Sequence, residues 1–199
     1  MNVGIVTSFI VGGLLLLSIL FFNAQVQNHT QETTLATITN QKLENLVDLI
    51  SHDISRIGYQ YTNTVITTTR HDEIVFWGDI YDNDVLDATK VTWSWKKPSS
   101  PVSNTKNPND YYLVREGPTN SNTDDGITKF PVSYFNIRYL NAVGAATTNS
   151  NNVKEIEIEI IMESPEPYYQ NANTTGPPNY YRTVWKRSFF PTNLNKNYY

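Results

Sequence analysis

The run VGIVTSFIVGGLLLLSILFF, residues 3–22, carries no charged side chain, while the chain beyond it is polar, rich in Asn and Thr, and broken by ten prolines. At a rise of 1.5 Å per residue, twenty residues reach about 30 Å, the thickness of a bilayer's hydrocarbon. This run therefore predicts a helix that crosses a membrane and stays with the protein. A cleaved signal peptide would call for a basic start, a shorter apolar stretch and small residues before the cut, whereas Phe22, Asn23 and Ala24 put a bulky side chain there. The first Lys or Arg is Lys42, so charge asymmetry does not orient the helix. The very short polar N-terminus makes export of the large C-terminal part the expected topology.

Within the run, Gly4, Ser8 and Gly12 recur every four residues and share one column of the helix, where a second helix backbone can approach closely. Small residues are also common in membrane helices that make no such contact, so the column admits both readings. Residues 14–57 contain neither Pro nor Gly, and nothing obliges the helix to stop at the membrane surface. One helix of roughly 55 residues, about 80 Å long, is expected. Residues 23–34 are nearly all polar. Beyond them Leu35, Ile38, Leu43, Leu46, Val47, Ile50, Ile54 and Ile57 return at three- and four-residue intervals. That stripe must be covered, and the chain's own sheet is the expected cover, with a short coiled coil as the alternative. Gly58 supplies the stop, with Arg56 near the negative end of the helix dipole.

After Tyr59 the period changes from 3.6 to 2. The cleanest case is Glu155-Ile156-Glu157-Ile158-Glu159-Ile160, an antiparallel strand with one wet face. Residues 91–95 and 135–139 alternate in the same way, and 74–77, 111–115 and 180–189 are weaker strands. Residues 97–110, 117–126, 141–152 and 164–179 are dense in Pro, Gly, Asn, Ser and Thr and are expected as loops. The fold class is α+β. A long N-terminal helix, apolar at 1–24 and amphipathic at 25–58, packs on an antiparallel sheet of about six strands in an exposed domain, 59–199.

The net charge is −4, with no clustered Lys or Arg, which excludes the electrostatic footprint of a nucleic-acid binder. The absence of cysteine excludes disulfides and thiolate chemistry. Asp79, Asp82, Asn83, Asp84 and Asp87 crowd one stretch and offer oxygen ligands to a hard cation such as calcium, but without the Gly and closing Glu of a helix–loop–helix site. A solvated turn is the competing reading. His52-Asp53 and His71-Asp72-Glu73 juxtapose imidazole and carboxylate without a nucleophile elbow or a zinc-protease motif, so they read as helix-surface and strand-edge residues and no enzyme is expected. The acidic face of Glu155, Glu157 and Glu159 guards a strand, or meets basic partners such as Lys186 and Arg187 of a neighbour. Trp93 and Trp95 read as core in preference to a sugar-stacking platform, and the Tyr pairs at 111–112, 168–169, 180–181 and 198–199 suit interfaces.

The plan resembles type IV pilin-like proteins, above all the minor pilins and pseudopilins. Asp53-Ile54-Ser55-Arg56-Ile57-Gly58-Tyr59 is similar to the Asp-x-x-Arg-x-Gly-aromatic run that closes the long helix in many of them. Residues 74–79 are similar to their first strand and turn, and residues 188–194 to their closing strand. Ile5 stands where the family usually has Glu, and no basic leader ending in Gly precedes Val3 in the sequence as it stands. The resemblance implies a structural subunit that rests in membrane lipid and then polymerises with itself or with other pilin-like subunits through the apolar helix, without a cofactor. The alternative is a single-pass anchored ectodomain that binds a partner and does not polymerise.

Overall fold

The structure, a computed structural model, describes residues 3–61, 63–81, 88–96, 99–119, 125–168 and 178–194. One helix, α1 (Val3–Ser55), leads into eight strands: β1 (Ile66–Arg70), β2 (Glu73–Gly78), β3 (Thr89–Trp95), β4 (Tyr111–Pro118), β5 (Asp125–Val132), β6 (Tyr134–Leu140), β7 (Glu155–Glu163) and β8 (Arg182–Phe189). A 3-10 turn, Ser150–Asn152, precedes β7. The α+β class stands, but the strands form two antiparallel sheets. One is five-stranded in the order β1-β2-β3-β4-β5, the other three-stranded in the order β6-β7-β8. Main-chain bonds stitch them together: Ile137 N–H donates to the His71 carbonyl at 2.8 Å and Ser133 N–H to the Ile161 carbonyl at 2.9 Å.

Leu46, Ile50 and Ile54 of the helix, and Ile57 in the turn just after it, meet Phe76, Val91, Trp93 and Leu113 of the larger sheet and Phe135, Ile156, Ile158 and Ile160 of the smaller one in a single core. The stripe is thus covered by the chain's own sheets, with one correction. Ile38 stays exposed and Thr39 is buried in its place, because the buried face runs 35, 39, 43, 46, 50, 54. On β7 the isoleucines at 156, 158 and 160 point inward and the glutamates between them outward.

Two strands were not expected. β1 has a single fully buried apolar residue, Ile66, among threonines, and its register shifts between Ile66 and Thr68. β5 begins inside what reads as a loop, so that Gly117 and Gly126 pair in register, and it carries Pro131. Both are edges of the larger sheet, where few apolar residues need burying and a missing N–H is tolerated.

Two glycines let the helix end sit tightly on β2. Gly58 has φ +74 and donates its N–H to the Trp77 carbonyl at 2.9 Å. A Cβ on Gly78 would lie 2.2 Å from the Arg56 carbonyl oxygen, a contact only glycine permits.

Candidate functional site

Asp53, in the last turn of α1, is fully buried and not the surface residue its neighbour His52 suggests. The reason is across the core. Arg115 on β4 donates from Nε to Asp53 Oδ2 at 2.7 Å and from Nη2 to Oδ1 at 3.0 Å, a two-pronged pair in which both side chains are shielded from water. Trp93 on β3 adds its indole N–H to Oδ2 at 2.8 Å, and Arg115 Nη1 reaches the Pro118 carbonyl at 2.8 Å. Such a pair persists in an apolar interior only because the remaining donors and acceptors are also bonded. His52 stands 3.8 Å from the same carboxylate, too far for a hydrogen bond, and is half exposed. The Arg56 guanidinium covers the Tyr59 ring at 4.8 Å. The four residues of the helix-end run thus act together: Asp53 ties down the helix, Arg56 and Tyr59 stack, and Gly58 makes the turn.

Arg115 and Trp93 were missed as partners of Asp53, though the signal lay in the sequence. Arg115 falls at the inward parity set by Leu113, where β4 buries its side chains. A lone cation at an apolar position calls for a carboxylate from another element.

The second surface is the start of α1. Gly4, Ser8 and Gly12 share an open column: nothing lies within 4 Å of a Cβ built on either glycine, and Ser8 returns its hydroxyl to the Gly4 carbonyl at 2.9 Å. Around them every side chain of residues 3–22 is exposed, and fourteen large apolar ones stand uncovered. This is the one helix among the described residues long and apolar enough to cross a membrane. Covering each such side chain is worth about 1.5–3 kcal/mol, so the segment forgoes on the order of 20 kcal/mol when bathed in water. That is as large as the net stability of an ordinary domain, about 5–15 kcal/mol, so the segment gains substantially from an apolar surrounding.

The other sequence candidates do not converge. Asp79 is buried beside the helix end, while Asp82, Asn83, Asp84 and Asp87 lie outside the described residues. Among the described residues no three His, Asp or Glu side chains gather as metal ligands. Asp72 pairs with Arg70 at 3.1 Å, away from His71. Glu157 takes Arg138 at 3.0 Å and Lys186 at 3.2 Å from its own flanking strands, so Lys186 is already engaged within the chain. Partial burial pushes the Glu157 carboxyl up, but hydrogen bonds and charge from Lys186 and Arg138 outweigh it and hold it below the ordinary range. Trp93 and Trp95 are buried, as core residues. Tyr111 packs at right angles to the Trp95 ring, Tyr180 donates to the Lys106 carbonyl at 2.9 Å, and Tyr169, Tyr198 and Tyr199 lie outside the described residues.

Comparison with protein-family models, with curated proteins and with solved structures gave no significant match. The long apolar helix carried by a β-domain is compatible with a pilin-like architecture.

Proposed function

We propose that the chain is a pilin-like structural subunit, held in a membrane by residues 3–22 with its β-domain on the extracytoplasmic side, and assembled with like subunits through that same helix. The observation that carries this reading is the uncovered apolar segment on a helix whose second half is locked into the domain. Outside lipid such a segment is stable only among equally apolar helices, and the Gly4, Ser8, Gly12 column offers the close approach they need. Nothing in this reading calls for catalysis, a cofactor or nucleic acid. Calcium would be an addition, not a requirement.

The test is Gly12→Leu, which keeps the segment apolar enough for lipid while filling the column. Wild-type cells should yield filaments on shearing, and the mutant should yield membrane-retained protein without filaments. Wild-type protein found only as dispersed membrane monomer would overturn polymerisation in favour of an anchored ectodomain. Filaments indifferent to the mutation would keep the polymer and remove the column as its contact.

A further inference from the structure

The outer face of the smaller sheet holds a cleft of about 390 Å³ where β7, flanked by Tyr134 of β6 and Arg182 of β8, meets the segment that precedes β4. Ile161 and Tyr134, paired across β7 and β6, line its apolar part, and the Tyr134 ring also makes an edge-to-face contact with Trp95 at 6.0 Å between ring centres. The rim is polar. Asn109 and Glu163 are already fixed to each other, the Asn109 amide donating to Glu163 Oε2 at 3.2 Å while Asn107 donates to the same oxygen at 3.0 Å. Glu159, Arg182 and the Tyr134 hydroxyl, by contrast, have no hydrogen bond or ion pair to any other side chain or to the backbone among the described residues.

An aromatic ring beside an aliphatic side chain, ringed by a carboxylate, a guanidinium and a phenol with unused bonding capacity, selects its ligand by exclusion. A free anion meets two carboxylates. A divalent cation finds no third acidic or imidazole ligand and an arginine in the way. A purely apolar molecule would leave the polar rim dry and unpaired. A neutral ring with one C–H face and several hydroxyls satisfies both halves, since each hydroxyl can accept from Arg182 and donate to Glu159. We infer that this cleft binds a neutral hexopyranose, stacked on Tyr134 and hydrogen-bonded through Glu159 and Arg182. The inference stands whether or not the chain polymerises, because the cleft lies wholly within the β-domain.

The test uses the full chain in a zwitterionic detergent without a sugar headgroup, with the methyl pyranosides of glucose, galactose and mannose as probes in saturation-transfer NMR. At least one should receive transfer from wild type, in competition with the others, and bind about tenfold more weakly to Tyr134→Ala and to Arg182→Ala. Val143→Ala, at a remote exposed position, should bind as wild type does. Arg182 is exposed, so its variant keeps the test decisive should Tyr134→Ala fail to fold. Binding should also be level from about 0.05 to 0.5 M salt, as befits an uncharged ligand. No transfer from any of the three sugars, transfer undiminished in both variants, or binding that salt abolishes would overturn the assignment, the last in favour of a basic ligand drawn to the two glutamates.

Discussion

The two halves of α1 share one backbone and have opposite relations to the rest of the molecule. Residues 3–22 are apolar on every side and stay uncovered among the described residues, whereas from Leu35 onward one side is apolar, and it is covered by two sheets. Between them Thr30, Thr33, Thr34 and Thr37 each return a hydroxyl to the carbonyl four residues earlier, so the polar joint satisfies much of its own bonding. The contrast shows that helicity and burial are separate questions. A helix buries a face where its pattern is one-sided, and an all-round apolar helix calls for an apolar surrounding on every side.

The most severe way to break the second half is at its end. Asp53→Ala leaves Arg115 charged and unpaired in the core and should cost about 3–5 kcal/mol, read as a lower melting temperature of the full chain in detergent. The double change Asp53→Leu with Arg115→Leu should recover most of that loss; if it does not, the ion pair is more than a satisfied burial.

A matched pair of truncations sharpens the comparison between the halves. Ile50→Ala opens a cavity between the helix and the sheets and should destabilise the domain by about 2–5 kcal/mol. Leu16→Ala should leave domain melting unchanged, because Leu16 is exposed and no described side chain of the domain covers that turn. A common loss in both would mean that the first half is packed against the domain after all.

The smallest effect is in the pH dependence. Glu157 is held below its ordinary range, so its contribution is complete above about pH 4.5 and is lost as pH falls through the depressed value. Asp110 runs the other way. Burial raises its carboxyl, against hydrogen bonds from Thr105 and Ser133, and the charge of Glu163 adds to the rise. Its protonated form favours the folded state, with stability lost as pH climbs from 3.8 through the raised value. Glu157→Gln should therefore make acid melting less steep and Asp110→Asn should make it steeper. The Glu157 change should be under about 1 kcal/mol, since both of its partners are half exposed to solvent. Melting temperature followed from about pH 3 to 7 checks both signs.

Where pattern and burial coincide, the fold was legible in the sequence. The helix that begins in the apolar run, ending at Ser55 and so two residues short of the expected Ile57, the alternation of β7 and the core role of Trp93 all follow from spacing. The edges β1 and β5 were not legible, since an edge strand with one buried residue leaves no period to read. Nor was the division into two sheets, because Ser133 alone separates β5 from β6 and carries no sign that the chain changes sheet there. At the helix end the local run pointed to the right residues. The two partners from β3 and β4 lie 40 and 62 residues away; the parity of Arg115 marks it as needing a carboxylate, but only the fold says which one.

The tie at Asp53 also decides how the molecule bears load. A pull on the anchor travels along α1 and leaves it through Asp53, into Trp93 on β3 and Arg115 on β4, and through the Gly58 N–H into β2. These are the three inner strands of the larger sheet, each hydrogen-bonded on both sides. Part of the force therefore enters the larger sheet at its middle, where the strands must yield together, and does not reach it only through the backbone link from α1 to the edge strand β1.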